Sequence, residues 1–426
     1  MNSKKKSIRQ VFKSIGPGLL FASAAIGTSH LVLSTRAGAY HGMVFFWIII
    51  AALIVKYPFY QYGARYASAT NFTLIKGYRD QGKSVVVLFL VIIFVNMFAV
   101  TGAIAAVCAG LLSTMFGVNM VSIPMLAGLI LVATVLLLLL GGYKGLDQLV
   151  KLISVVLLVC ILIAFAAVLS TGPSPMIQGF EAPSLWEGAG LTLLISLLGW
   201  MPAGMEASTM NSIWTIEKMK TEKYQPTVAE SLFDFNLGYI FTSALALIFM
   251  TIGSYTVFGT GEVLDGNATQ FSNKLLSIFT AGMGSWVYPF LAIAAFGTIF
   301  GTLVTVLDAF PRCFVRGIRA LKYNIDEYDA TQELFLKRAY RFCLIGVGLG
   351  GFLLFYFSAA SMIKVLELAT ILSFLTAPIL AYLNLRAIQS PEVKTEFRPK
   401  GVLLGMSYVG LILMVGFALY YLSTFI

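Results

Sequence analysis

Apolar stretches of roughly 20 residues or more follow one another along almost the whole chain, with short polar segments between them. A helix of that length is about 30 Å long, which matches the hydrocarbon core of a bilayer. Only 11% of the residues are charged, compared with roughly 25% in a soluble domain, so a soluble fold cannot hide this much apolar surface. The sequence therefore predicts an all-α membrane protein with about 11 transmembrane helices.

The predicted spans cover most of the chain, and nothing between them is long enough for a soluble domain. We place them at residues 15–38, 43–66, 85–115, 121–141, 149–170, 189–216, 236–258, 287–310, 340–358, 361–387 and 402–424. The longest intervening segments, 259–286 and 311–338, are expected to carry short interfacial helices.

The basic residues are concentrated in alternate loops. The net charge is +10, and after a basic N-terminal segment (residues 1–13) the Lys and Arg residues cluster at 76–83, 218–223, 312–322 and 394–400. This asymmetry is typical of cytoplasmic loops, so it predicts a cell inner membrane protein with a cytoplasmic N-terminus and an external C-terminus. The positive charge thus reflects topology, and we expect membrane lipid rather than nucleic acid as a partner.

The sequence lacks the features of an enzyme. It has no HExxH motif and no loop that could house a nucleotide-binding domain, and its four cysteines show no CxxC spacing. We therefore expect no catalytic activity, no cofactor other than a transported metal ion, and no disulfide framework.

Two spans carry helix-weakening residues at their centres. The first contains Ala-Ile-Gly-Thr-Ser-His at 25–30 and the sixth contains Gly-Trp-Met-Pro-Ala-Gly at 199–204. Glycine weakens a helix and proline removes a backbone donor, so both segments are expected to unwind. Open backbone at membrane depth is tolerated only where it lines a cavity or is buried in protein. Two ordinary kinked helices are the alternative.

The two interruptions lie five spans apart, which is the arrangement of transporters with inverted repeats. This spacing predicts a first five-helix repeat at 14–170, a second at 188–387, and an additional helix 11 at 402–424. We infer the repeat from hydropathy and from the positions of the breaks, since the two halves show no convincing residue-level similarity.

At these residues the chain resembles the Nramp family of divalent-metal transporters. The shared features are a Gly-Pro-Gly start at 16–18, the break in the first span followed by Ala-Gly-Ala at 37–39, Thr-Ile-Phe-Gly-Thr at 298–302 and Thr-Ala-Pro at 376–378. The resemblance implies the LeuT-type fold, in which a moving bundle and a scaffold alternately expose a central site.

The resemblance also implies a metal site, but this chain departs from the family pattern there. The family binds metal through DPGN in helix 1 and MPHN in helix 6. Gly27 stands at the Asp position, His30 at the Asn position and Ala203 at the His position, while Met201 is kept. The chain therefore resembles a divergent member of the family, and we expect its metal binding and proton coupling to differ from the family pattern.

The candidate site residues are those at the two breaks and facing them. We expect substrate contacts from Gly27, Thr28, Ser29, His30, Leu198, Met201, Ala203, Gly204 and Thr376. Within this set His30 and Met201 are the candidate metal ligands, because imidazole and thioether suit softer ions. A hydrogen-bonded His30 and a packing Met201 are the structural alternatives.

Charged residues inside spans are costly and so are candidates for function. Glu206 follows the second break and Lys56 lies in the middle of the second span, which makes them candidate coupling residues. A buried Glu206–Lys56 ion pair is the structural alternative. Near the span ends, an Asp308–Arg312 ion pair is expected.

Three functions fit these observations. The first is an Nramp-like symporter that moves a cation, above all a divalent metal ion, by alternating access. The second is the same fold carrying an organic solute such as an amino acid, whose carboxylate would face a half-helix N-terminus. The third is a membrane sensor without transport.

Overall fold

The structure, a computed structural model, describes residues 16–117, 121–141, 143–264, 268–280, 287–323, 330–358 and 361–425. Within these residues every regular element is a helix. The basic N-terminal segment, residues 1–13, lies outside the described part of the chain. All four cysteines are free thiols in the structure.

The first half of the chain contains seven α-helices and one π-helical segment among the described residues. They are α1 (Pro17–Ala25), the π segment (Ser29–Ser34), α2 (Thr35–His41), α3 (Val44–Thr70), α4 (Leu74–Gln81), α5 (Lys83–Phe116), α6 (Ile123–Leu139) and α7 (Tyr143–Thr171).

The described residues of the second half contain eight further helices. They are α8 (Gly188–Trp200), α9 (Ala207–Glu222), α10 (Val228–Thr256), α11 (Ala268–Thr280), α12 (Tyr288–Lys322), α13 (Ala330–Phe357), α14 (Met362–Ile388) and α15 (Gly401–Ser423).

Each predicted span coincides with one helix or with a pair of broken helices. Of the described helices, seven are long and apolar enough to cross a bilayer, and the bent pair Pro17–Ala25 and Ser29–His41 makes an eighth. Three further apolar stretches within the described residues, Ile123–Leu139, Val156–Thr171 and Gly188–Trp200, are shorter, so the count of 11 is not confirmed.

In the segments between spans, the helix expected within 259–286 is present as α11, whereas α4 was not predicted. Within 311–338, the described helical residues belong to the two long helices, since α12 continues to Lys322 and α13 begins at Ala330. An apolar helix that extends past the membrane into a polar segment leaves no hydropathy signal at its end.

The start of α1 explains the Gly-Pro-Gly sequence. The Asp234 carboxylate on α10 accepts hydrogen bonds from the backbone amides of Gly16 at 3.0 Å and Gly18 at 2.6 Å. Pro17 lacks an amide hydrogen and is favoured in the first turn of a helix. A Cβ at Gly18 would lie 2.0 Å from the Asp234 carbonyl oxygen, so only glycine allows this close approach.

The helices pack into two groups. In one group α10 packs against α1, α2 and α3, and α9 packs against α1 and α3. In the other group α5 packs against α6, α12 and α13. Both broken helices contribute to the first group, and α1 also contacts α12 of the second. The meeting of the two groups therefore lies beside the breaks.

Candidate functional site

The first break separates α1 from the π segment. Helix α1 ends at Ala25, residues 26–28 are not part of a regular helix run, and the two halves meet at 46°. The Gly27 carbonyl oxygen accepts hydrogen bonds from the amides of His30 at 3.2 Å and Leu31 at 2.9 Å. The chain is thus unwound at Ile26 and Gly27, close to the middle of the span.

The second break is longer. Helix α8 ends at Trp200, α9 begins at Ala207, and residues 201–206 connect them, with a cis peptide bond between Met201 and Pro202. All six connecting residues are buried. The prediction that both helices are interrupted at 25–30 and 199–204 is therefore confirmed.

A small cavity of about 40 Å³ lies between the two breaks. Residues of α5 and α12 close it from the other helix group. Its lining includes Thr28, Ser29, Ala203, Gly204, Glu206, Trp200, Met210, Thr302, Val100 and Ile104.

Glu206 alone among the described lining residues carries a charge. Its side chain is only 4% exposed, and its Oε2 atom accepts no hydrogen bond in the structure. The other carboxylate oxygen lies against Gly204, where a Cβ would stand 2.2 Å from it. A buried carboxylate oxygen without a donor is costly, so this atom is suited to receive a cation or a proton.

Hydroxyl groups surround the same cavity. The Thr28 Oγ1 atom is buried and makes no hydrogen bond, whereas the Ser29 hydroxyl donates to the Ala25 carbonyl oxygen at 2.6 Å. The Thr302 hydroxyl contacts the Ser23 carbonyl oxygen at 2.9 Å. Two residues that line the cavity, Thr28 and Glu206, therefore each carry a buried oxygen atom without a hydrogen-bond partner.

Lys56 does not form the direct ion pair with Glu206 that is the structural alternative to a coupling role. Its ammonium group donates hydrogen bonds to the carbonyl oxygens of Leu198 at 2.7 Å, Gly199 at 3.2 Å and Met201 at 3.1 Å. Glu206 and Lys56 still interact through their opposite charges. The direct contacts of Lys56 are with backbone at the end of α8, because that helix end leaves carbonyls without amide partners.

His30 does not line the cavity. Both ring nitrogens have polar neighbours: Nε2 lies 2.9 Å from the Thr242 carbonyl oxygen on α10, and Nδ1 lies 2.8 Å from the Ser29 hydroxyl oxygen. Since a carbonyl oxygen only accepts, Nε2 carries the hydrogen. This geometry matches the structural alternative for His30, a hydrogen bond to a carbonyl, rather than the metal-ligand prediction.

The other predicted contacts divide in the same way. Thr28, Ser29, Ala203 and Gly204 line the cavity, whereas Gly27, Leu198, Met201 and Thr376 do not. Thr376 instead donates a hydrogen bond to the Leu372 carbonyl oxygen at 2.8 Å, as hydroxyls in membrane helices often do.

Sequence reasoning missed the cavity residues that come from α5, α9 and α12. Thr302 carried a signal, since it ends the Thr-Ile-Phe-Gly-Thr segment, but Val100, Ile104 and Met210 are ordinary apolar residues of long helices. Within the described residues, no three His, Cys, Asp or Glu side chains come together, so a metal bound here would depend on Glu206 and neutral donors.

Ion pairs tie the helices together away from the cavity. Arg36 on α2 lies 3.7 Å from Glu367 on α14. The expected Asp308–Arg312 pair is present at 2.7 Å. The Arg36–Glu367 pair joins two helices, whereas Asp308 and Arg312 lie one turn apart on α12.

Residues 77–84, Gly-Tyr-Arg-Asp-Gln-Gly-Lys-Ser, match the spacing of a phosphate-binding P-loop. In the structure the match runs from within α4 into the first turn of α5, so helix precedes it where a P-loop needs a strand. Gly77 packs against Ala387 and Tyr66. This segment is a tight helix connection, not a nucleotide site.

Two interrupted helices that meet around a small polar cavity inside an apolar helix bundle define a membrane transporter of the LeuT type. Solved structures with this fold include a manganese transporter of Eremococcus coleocola, with a TM-score of 0.72, 15% identity, and coverage of 100% of this chain and 89% of that one. MhsT in complex with L-phenylalanine matches with a TM-score of 0.59 and 12% identity, over 98% and 100%.

The chain belongs to the Nramp family. The family described as natural resistance-associated macrophage protein-like matches residues 18–424. An uncharacterized protein of Pasteurella multocida is 33% identical over 427 residues, which is 99% of this chain and 94% of that protein. The metal transporter Nramp3 of Oryza sativa subsp. japonica is 27% identical over 203 residues, 46% of this chain and 36% of that protein.

Family and fold together confirm the all-α transporter class and the resemblance found in the sequence. They place the chain among multi-pass membrane transporters rather than enzymes. The direction in which the termini face stays a prediction from the positive-inside asymmetry.

Proposed function

We propose that this protein is a secondary transporter that carries a divalent metal ion across the cytoplasmic membrane, with the ion bound beside Glu206 between the two breaks. Membership in the Nramp family supports metal-ion transport, as does the similarity to two proteins named as a manganese transporter and a metal transporter. The observation that carries the proposal is Glu206 itself, which lines the cavity between the breaks and has a buried Oε2 atom that accepts no hydrogen bond.

The size of the cavity favours an inorganic ion over an organic solute. A water molecule needs roughly 10–15 Å³ of such space, so about 40 Å³ holds an ion with one or two waters. Pockets for organic ligands usually measure about 300–1,000 Å³. The amino-acid alternative would require the site to open far beyond the described cavity.

Glu206 would supply the negative charge that Gly27 does not. Hard divalent ions bind carboxylate, hydroxyl and carbonyl oxygens, and the cavity offers the Glu206 carboxylate and the Thr28 hydroxyl for this purpose. In this proposal the ion replaces neither a hydrogen bond nor an ion pair, because both oxygen atoms are unused in the structure.

The same carboxylate provides a route to proton coupling. An empty site would leave a buried, ionised carboxylate without a partner, which costs several kcal/mol (~2–7 for a polar group, more for a charge). Protonation of Glu206 would remove that charge when the ion leaves. Ion and proton would then exchange at one group, and uptake would depend on pH.

Alternating access would arise from movement between the two helix groups. The cavity lies where α1 and α9 of one group meet α5 and α12 of the other. A rotation of one group against the other would open the cavity towards one side of the membrane at a time.

The test is ion uptake into proteoliposomes that contain Glu206→Gln, with Mg²⁺, Mn²⁺, Fe²⁺ and Zn²⁺ offered separately. We expect the wild type to take up at least one of these ions and Glu206→Gln to lose that uptake. Glu222→Gln is the matched control, because it makes the same substitution at the end of α9, where Glu222 pairs with Lys218 at 3.3 Å. Unchanged uptake by Glu206→Gln would contradict the proposed site.

A further inference from the structure

Lys56 makes an unusual set of contacts for a charged residue at membrane depth. It lies in α3, its side chain is 3% exposed, and its ammonium group contacts three backbone carbonyl oxygens. Two of these belong to the last turn of α8 and the third belongs to Met201, the first residue of the break. An ammonium group has three hydrogens, so these three contacts use all of them.

The end of a helix is a natural cation site. The last carbonyls of α8 have no amide partners because the helix stops at Trp200, and the helix dipole places partial negative charge there. In transporters with broken helices, such half-helix ends and unwound carbonyls coordinate inorganic coupling cations. In this chain the position is taken by a side chain.

We propose that Lys56 is a tethered cation that fills the carbonyl end of α8 and replaces an inorganic cation there. The ammonium group is covalently attached to α3, so it neither leaves nor competes with ions in solution. Transport by this protein then needs neither Na⁺ nor K⁺ at the α8 end, and the mobile cation is confined to the Glu206 cavity.

Tyr60, on the next turn of α3, also binds a backbone carbonyl oxygen of the second break. Tyr60 lies four residues after Lys56, on the same face of α3. Its hydroxyl group donates a hydrogen bond to the Ala203 carbonyl oxygen. Lys56 and Tyr60 together hold carbonyls on both sides of Pro202 against α3. Lys56 therefore acts as a positioning residue for the break as well as a charge.

The alternative that Lys56 serves packing alone makes a different prediction for substitutions. Lys56→Ala would leave a space lined by three carbonyls, which a small cation from solution can fill. Lys56→Met keeps most of the side-chain volume but has no charge and leaves no such space. Only the tethered-cation role predicts that a salt ion restores Lys56→Ala and not Lys56→Met.

The experiment measures thermal unfolding and Mn²⁺ uptake in NaCl, KCl and choline chloride at one ionic strength. We expect wild-type unfolding and uptake to be the same in all three salts. In choline chloride, uptake by Lys56→Ala should fall at least about tenfold. A tenfold change corresponds to about 1.4 kcal/mol, which is slightly less than one hydrogen bond to a charged group contributes. NaCl or KCl should restore its uptake and raise its unfolding temperature, while Lys56→Met should stay impaired in every salt.

Three results would overturn the proposal. The first is that Na⁺ or K⁺ stimulates uptake by the wild type. The second is that neither Na⁺ nor K⁺ restores Lys56→Ala, whether or not that variant folds. The third is that Lys56→Met behaves like the wild type. The inference shares with the proposed function only the idea that the breaks form the pathway. The unfolding measurement needs no transport, so a salt effect on Lys56→Ala stability would stand even if Mn²⁺ uptake by the wild type were absent.

Discussion

A Cβ atom added to Gly27 would lie 2.5 Å from the hydroxyl oxygen of Thr302 and 3.0 Å from the Thr302 Cβ and Cγ2 atoms. Thr302 on α12 thus fills the space that a side chain at Gly27 would need. The same hydroxyl contacts the Ser23 carbonyl oxygen near the end of α1. Glycine at the position where the family pattern has aspartate is therefore coupled to a threonine on another helix.

This coupling predicts a non-additive pair of substitutions. Gly27→Ala should destabilise the protein by about 1–3 kcal/mol, the usual cost of overpacking. Combined with Thr302→Ala, which removes the closest contact, the loss should be smaller than the sum of the two single losses. Thermal unfolding of the four proteins forms a double-mutant cycle, and strict additivity would show that the two residues do not compete for space.

The unused hydroxyl of Thr28 allows the ligand role to be separated from a structural one. Thr28→Val keeps the shape of the side chain and breaks no hydrogen bond, so stability should stay within about 0.5 kcal/mol or rise. Metal uptake should fall, because one oxygen donor is removed from the cavity.

Thr302→Val is the matched control for Thr28→Val. The substitution is the same, but it removes the hydrogen bond to the Ser23 carbonyl oxygen, so we expect a loss of about 1 kcal/mol in stability. The unfolding midpoints and uptake rates of both variants show whether Thr28 acts as a metal ligand or as a structural residue. Full uptake by Thr28→Val would remove Thr28 from the site.

His30 is expected to matter for stability and not for metal affinity. His30→Ala removes the hydrogen bond from Nε2 to the Thr242 carbonyl oxygen and leaves space beside α10, so the unfolding temperature should fall. Metal affinity measured by calorimetry on protein that remains folded should change less than about twofold, well below the tenfold that 1.4 kcal/mol represents. A large loss of affinity without loss of stability would restore His30 as a ligand.

Asp234 is expected to hold the start of α1 in place. Asp234→Asn replaces one acceptor oxygen by an amide group that faces a backbone amide, so the hydrogen bond to Gly16 or Gly18 is lost. The expected cost is about 1–3 kcal/mol. The measurement is thermal unfolding beside Glu222→Gln as a surface control, and equal stability of the two variants would show that α1 is held by packing alone.

Much of the fold was open to prediction because a bilayer imposes simple rules on a chain. Apolar length predicted the positions of the long helices, and the breaker residues at 25–30 and 199–204 predicted both interruptions. The ends of α12 and the helix α4 were not found, because helices outside the hydrocarbon layer have no required length or hydropathy.

The candidate site was predicted only in part. Thr28, Ser29, Ala203, Gly204 and Glu206 were found because they lie at the breaks, where local sequence is informative. The direction of His30 and the partners of Lys56 could not be found in this way. Both depend on backbone carbonyls of helices far away in sequence, at Thr242 and at Leu198 to Met201.

The sequence by itself determined that this protein is a helical membrane transporter with two broken helices, since hydrophobic length and weak helix formers act locally and need no partner. Only the tertiary structure decided which groups share the cavity. It placed His30 against α10 and Lys56 at the carbonyl end of α8, packed Thr302 against Gly27, and left the Oε2 atom of Glu206 without a donor. Such choices depend on which carbonyls remain unpaired after the helices pack, and that is a property of the whole fold.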